Sequence, residues 1–304
     1  MSNSVKTTCM ILGGLLSATL SLLHLFPVPG LIFISYLATL PLFLVGLGLG
    51  LRSLYGASLI ATLLIILLEG PLLGGEFFIF SALGSTFLIN RALLNRKKAS
   101  GQIDWYPASL LLRDITLAAG LVMVIALGVY LYFTQGGDAH ALIKSFLKAF
   151  DPQNHLKDAE SLLNTIFPFL PGFFSFSWTL MMLINAALAQ GLLIRFNHNL
   201  RPSPSLVGLK TPKSFLLLLF LSLLLSMIGI GSLALLGKNA VLILLVPFFL
   251  VGLGVIHEWI HKMPFVTAGL TLFYALMFLF IWPIFGVILI GILKPWIEKF
   301  TSLN

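Results

Sequence analysis

His257, Glu258 and His261 stand in the order His-Glu-x-x-His inside VIHEWIHKMP, residues 255–264. On a helix the two histidines are four apart and share a face. That spacing could hold a zinc ion, with Glu258 as general base on a metal-bound water. The flanking chain is almost continuously apolar, so the chemistry would be that of an intramembrane zinc metalloprotease. Two features weigh against it. Pro264 disfavours helical backbone at Met263, so the helix should end at about His261, leaving that histidine on a fraying edge. A third ligand is also hard to name: His24 should lie at the opposite membrane face, His140 and His155 belong to an outer connection, and His198 and Glu298 sit in no ligand motif. The plainer reading is the polar edge of a membrane helix, with Trp259 as an interface anchor and Lys262 reaching to the headgroups.

Other catalytic signatures are missing from the sequence. It has no G-x-x-x-x-G-K phosphate loop and no G-x-S-x-G elbow. What remains are polar groups inside apolar segments, where desolvation demands a partner. Asn185 and Gln190 lie in the sixth such segment and Tyr274 in the last. An interhelical hydrogen bond would satisfy Asn185. Ser17 and Ser21 can satisfy themselves on the backbone one turn back. Glu69 and Glu76 read as interfacial. No cofactor is expected.

The elements that must position these residues are membrane helices. Of the 304 residues 59% are hydrophobic and 9% charged, against about 25% charged in soluble domains. Several apolar runs approach or exceed the roughly 20 residues that cross a bilayer. They are apolar all round, which excludes the alternation of a membrane barrel. The expected fold is an all-α polytopic bundle of eight to ten spans in a single domain, 1–304. The apolar segments run at about 8–26, 31–51, 54–68, 77–90, 110–133, 167–194, 214–236, 240–256 and 265–293. Pro283 makes the last of these either one kinked helix or a tight hairpin. The net charge of +8 belongs to loops that set orientation and implies no nucleic acid.

Placing the N-terminus in the cytoplasm puts Arg52 and the basic loops at about 91–108 and 195–213 inside. It puts Glu69, Glu76 and the near-neutral connection at about 134–164 outside. In that connection Asp138 is a candidate N-cap. Leu142, Ile143, Phe146, Leu147 and Phe150 recur at helical spacing, with Lys144 and Lys148 facing elsewhere. The pattern describes a short amphipathic interfacial segment at about 138–163, broken at Asp151-Pro152. Gly46-Leu-Gly-Leu-Gly50 and Ala186-Ala187-Leu188-Ala189 read as close-packing faces.

Two stretches carry a family resemblance. The first is LINAALAQGLLIRFNHNLRPSPSLVGLKTPKSF, with Asn185 followed by R-P-x-P-x-L. The second begins FFLVGLGVIHEWIHKMPF and contains G-L-x-V-x-H, with a proline in the last apolar stretch. Together they resemble the YybS-like DUF2232 family of predicted bacterial membrane proteins. The positions that match are Asn185, Arg201, Pro202, Pro204, Gly252 and His257, and the family assigns them no roles. It is grouped by distant similarity with the substrate-binding subunits of energy-coupling-factor transporters, small helical bundles that borrow a separate ATPase. The resemblance implies a multi-pass protein of the bacterial inner membrane that binds or transports a small molecule. A separate ATPase or other membrane subunit would be its partner. Asn185, Gln190 and His257 are the candidate substrate-binding residues. The metalloprotease and a non-catalytic membrane scaffold are the alternatives.

Overall fold

The computed structural model describes residues 2–26, 28, 30–134, 136, 139–150, 159–206 and 208–301. The chain is helical almost throughout: α1 (Asn3–Leu22), α2 (Leu31–Ser35), α3 (Leu40–Leu49), α4 (Leu51–Glu69), α5 (Pro71–Glu76), α6 (Gly84–Leu93), α7 (Ala108–Phe133), α8 (His140–Phe150), α9 (Ala159–Ile166), α10 (Leu170–Arg195), α11 (Lys213–Ile228), α12 (Ser232–His261), α13 (Val266–Leu279) and α14 (Trp282–Thr301). A short antiparallel hairpin, β1 (Asn95–Lys97) and β2 (Ile103–Trp105), interrupts the basic loop after α6.

Among the described residues six helices are long and apolar enough to cross a membrane: Asn3–Leu25, Leu51–Glu69, Pro71–Leu93, Ala108–Phe133, Ser161–Arg195 and Ser232–His261. Two apolar stretches, Phe33–Leu49 and Lys213–Ile228, are shorter, and α13 with α14 forms a pair bent by 117°. That bend falls at Phe280 and Ile281, with Pro283 in the first turn of α14, where its missing N–H costs nothing. The last apolar stretch is therefore sharply broken rather than gently kinked.

Turn chemistry explains the other boundaries. Gly50 and Gly70 end α3 and α4 with φ of +92° and +90°, left-handed conformations that glycine adopts without strain. The division between α11 and α12 lies at Gly229–Gly231, not at 237–239 as the hydropathy suggested. Gly231 takes φ +58°, and Leu233–Asn239 join the following helix. α12 does end at His261, as Pro264 requires. The expected second segment is two helices joined by a tight turn at 36–39. The expected fourth starts early, at Pro71, and holds seven π-helical residues, Phe77–Leu83. In the connection, α8 and α9 supply two helical pieces, with Ile143 buried and Lys144 exposed. Asp138, residues 151–158 and the side chains of 146–150 lie outside the described residues.

The chain groups into two compact units: Met1–Leu111 with Trp178–Pro204, and Leu112–Ser177 with Ser205–Asn304. In the first, α1 packs on α3 and α4, and α3 on α6. Leu54, Ala57 and Ala61 of α4 are fully buried there. Gly46 faces Ile89 and Leu54, so that glycine pair with Gly50 serves packing and chain reversal. Trp178, Met182, Asn185, Ala189 and Leu193 form one buried face of α10 at spacings of four, three, four and four.

In the second unit α12 packs on α11 and α14. Phe215, Leu219, Leu244 and Phe248 make its apolar cluster. Gly252 and Gly291 face each other where α12 crosses α14. A Cβ on Gly252 would meet the Val287 carbonyl, and one on Gly291 the Phe248 carbonyl. Backbones this close need glycine on both sides. Asn239 is fully buried on α12. Its Oδ1 accepts from the Gly172 N–H at 2.6 Å, and its Nδ2 donates to the Pro168 and Leu235 carbonyls at 2.9 and 2.7 Å. Every polar group of that amide has a partner.

The π segment is tied in the same manner. Trp178 Nε1 donates to the Phe80 carbonyl at 2.8 Å, and Ser85 Oγ to the Ser81 carbonyl at 2.7 Å. These side chains satisfy carbonyls in a stretch where the regular helical ladder is displaced. Trp178→Phe keeps the ring and removes the donor. We expect a loss of about 1 kcal/mol, typical of one interhelical hydrogen bond in a membrane, read as a lower thermal midpoint in detergent.

Candidate functional site

The clearest polar site is the turn at 36–39 in the first unit. There the amides of Leu37, Ala38 and Leu40 bond three residues back, to Ile34, Ser35 and Leu37, at 2.9 to 3.0 Å. This tight winding releases carbonyls from the α-helical pattern. Two side chains from other helices take them. Ser17 Oγ on α1 donates to the Ala38 carbonyl at 2.6 Å, and Asn185 Nδ2 on α10 donates to the Tyr36 carbonyl at 2.8 Å. The second Asn185 amide hydrogen goes to the Met181 carbonyl at 2.7 Å. Asn185 is 1% exposed and Thr39 0%. Asn185 Oδ1 and Thr39 Oγ1 are both sealed from solvent and without a hydrogen-bond partner. Both oxygens stand at the turn between two apolar helices, and buried polar atoms are nearly always bonded.

Gln190 lies on α10 beyond Asn185 but serves a different structure. Its Nε2 donates to the Arg201 carbonyl at 2.9 Å, and Asn199 Nδ2 donates to the same oxygen at 2.8 Å. The Arg201 side chain is 5% exposed. Its guanidinium donates to the Ala92 carbonyl at 2.6 Å, in the last turn of α6, and to the Tyr106 carbonyl at 3.4 Å. It also lies over the Trp105 ring at 5.8 Å. Burial pushes this guanidinium below its ordinary value, yet an arginine remains charged. Arg201 thus clamps both ends of the segment that carries the hairpin, where Lys98 and Asp104 pair at 3.2 Å. Leu200 N–H bonds the Leu47 carbonyl at 3.1 Å. These bonds gather the ends of α3 and α6 and the loop after α10 at one end of the unit.

His257 and Tyr274, separate candidates by sequence, meet in the second unit. His257 Nε2 and Tyr274 Oη are 2.7 Å apart. His261 Nδ1 turns back to the His257 carbonyl at 2.7 Å, and Lys262 Nζ donates to Glu258 at 3.1 Å. Each group of the His-Glu-x-x-His spelling is engaged locally. Among the described residues no three His, Cys, Asp or Glu side chains group closely enough to hold a metal ion. His155 and the Glu298 side chain lie outside those residues.

Sequence reasoning passed over two buried charges. Asp114 is buried in α7, with Arg113 Nε and Nη2 donating to its Oδ1 at 2.9 and 2.8 Å. Lys294 is buried on α14 and donates to the Leu209 carbonyl at 2.9 Å. Glu69, at the end of α4, has its side chain 5% exposed and 3.7 Å from His24. A carboxylate inside the apolar run 110–133 was the available signal for Asp114. An open groove of about 430 Å³ along α1 and α3 is almost wholly apolar and offers no chemistry of its own.

Helices of this length and hydropathy, with polar side chains turned inward to satisfy interrupted backbone, define a polytopic helical membrane protein. The chain belongs to the DUF2232 family of predicted membrane proteins, whose profile matches residues 15–293. No curated protein and no solved structure matches it.

Proposed function

We propose that this protein binds or transports a small molecule in the bacterial cytoplasmic membrane, with its N-terminus inside. The observation that supports the reading is the turn at 36–39, where Asn185 Oδ1 and Thr39 Oγ1 lack partners. Discontinuous membrane helices with unsatisfied polar groups are where transporters hold their substrates. Asn185 Oδ1 only accepts, while the Thr39 hydroxyl both accepts and donates, so the ligand would present at least one N–H or O–H donor. The turn is sealed in this conformation, and entry would require α10 to move away from α2 and α3. The sequence carries no nucleotide motif, so energised transport would use a separate ATPase subunit, as the distant similarity to energy-coupling-factor subunits suggests. Arg52, the hairpin and the loop after α10 would face the cytoplasm.

Native mass spectrometry of gently purified protein tests this. The wild type is expected to carry a small molecule, and Asn185→Leu to lose it while keeping its thermal midpoint within a few degrees. Ligand retained in Asn185→Leu would remove the turn as the site. A fixed protein partner with no ligand in either would mark a scaffold.

A further inference from the structure

The apolar groove along α1 and α3 belongs wholly to the first unit. Val5, Cys9, Leu12 and Leu16 line it from α1 at spacings of four, three and four, so one face of that helix forms a wall. α3 runs antiparallel to α1, since Ser17 bonds the Ala38 carbonyl while Gly13 faces Val45. Leu49 therefore lies at the Val5 end of the groove, with His198 beside Gly48. Cys9 and Gly48 add little bulk, which leaves the walls hollow there. The volume of about 430 Å³ is that of a ligand cleft. The rise from Val5 to Leu16 is about 16 Å, and one leaflet contributes about 15 Å of hydrocarbon. The groove thus has the depth that one acyl chain fills.

The mouth of the groove is basic. Lys6 follows Val5, Arg52 follows Leu49 across the reversal at Gly50, and Arg195 stands three residues before His198. α1 and α4 run parallel, with Gly56 against Met10 and Gly14 against Ile60, which sets Lys6 level with Arg52. All three cations are exposed, and among the described residues their side chains hold no hydrogen bond or ion pair. The carboxylates of this unit do not neutralise them. Glu69 and Glu76 lie at the other end of α4 and beyond it, and Asp104 is paired with Lys98. An apolar slot one leaflet deep that opens among unpaired cations matches a lipid with a negative headgroup.

We infer that the first unit binds one anionic phospholipid here, with an acyl chain lying in the groove and the phosphate among Lys6, Arg52 and Arg195. A zwitterionic lipid has the same tails but no net charge for the cations to meet. Headgroup preference therefore separates this site from the lipid that coats any membrane helix. Each cation near an anionic headgroup changes affinity about fivefold. The inference goes beyond the small-molecule reading and does not depend on it, because the turn at 36–39 does not line the groove.

Native mass spectrometry of the full chain in detergent, with equal phosphatidylglycerol and phosphatidylcholine added, tests it. Wild type should keep one phosphatidylglycerol at collision energies that strip phosphatidylcholine. Leu12→Trp fills the groove and should lose that lipid, while Leu63→Trp, exposed on α4 away from the groove, should keep it. Cys9 is the chain's single cysteine, so alkylating it with N-ethylmaleimide in folded wild type blocks the groove without a substitution. It should also displace the lipid, which provides an arm should Leu12→Trp fail to fold. Lys6→Gln should lower the preference for phosphatidylglycerol about fivefold, and adding Arg52→Gln and Arg195→Gln should abolish it. Equal retention of the two lipids by wild type, or no retained lipid, would overturn the inference. So would a phosphatidylglycerol that survives both Leu12→Trp and alkylation, or a fatty acid held in its place.

Discussion

Gly252→Ala should destabilise the protein by about 3 kcal/mol, at the upper end of what overpacking costs. The added methyl would sit on the Val287 carbonyl oxygen. That obstacle is backbone, which cannot swing aside as a side chain would. α12 and α14 would have to separate along their whole contact, loosening the cluster of Phe215, Leu219, Leu244 and Phe248. Gly291→Ala should match it, because the Phe248 carbonyl blocks that side. The double variant should cost less than the sum, since the first separation makes room for the second methyl. Gly120→Ala in α7 is the control. A Cβ there meets nothing within 4 Å, and alanine is the better helix former by up to about 1 kcal/mol. Thermal midpoints of the four variants should thus fall, fall, fall and hold or rise. A Gly252→Ala protein as stable as wild type would refute the close crossing.

Arg201→Ala should lose about 3 kcal/mol, the top of the range for hydrogen bonds to a charged group. It leaves the Ala92 carbonyl without its charged donor and removes the cation from the Trp105 ring. Arg201→Lys should recover less than half. An ammonium is a point charge and cannot span carbonyls at both ends of the hairpin segment as a planar fork does. Trypsin gives a local readout. Cleavage at Lys97 and Lys98 should quicken in both variants, more in the alanine. Equal cleavage in wild type and Arg201→Ala would show that the clamp does not hold the hairpin.

Much of this is legible from the chain. The helical membrane class follows from charge content and run length, and the end of α12 from Pro264. Asn185, Gln190 and Gly252 stand out in the sequence, and each is buried in the structure. What sequence could not supply was the phase and the partner. Asn185 is visible as a polar residue in a span, but nothing marks the turn at 36–39 as the structure that receives it, since SYLATL contains no breaker. Gly229 and Gly231 sit in a run so apolar that a boundary at Gly237 and Asn239 looks better. Arg201 reads as one more cytoplasmic charge, because a loop arginine's burial depends on carbonyls brought from residues 92 and 106. His24 and Glu69 fall at the same face of the membrane by hydropathy, which does not join them.

The π segment constrains how this chain can vary in length. A π turn behaves as an α-helix that has accepted an extra residue, so Phe77–Leu83 absorbs a surplus that Pro71–Leu93 could shed. Losing one residue there would restore regular winding and leave everything beyond it close to its present phase. Ile89 would keep its place against Gly46, and the Ala92 carbonyl its place before Arg201, whereas a residue lost from the regular winding between Gly84 and Leu88 would turn both by about 100°. Register in this span therefore tolerates the loss of one residue inside Phe77–Leu83 and is unforgiving beyond it.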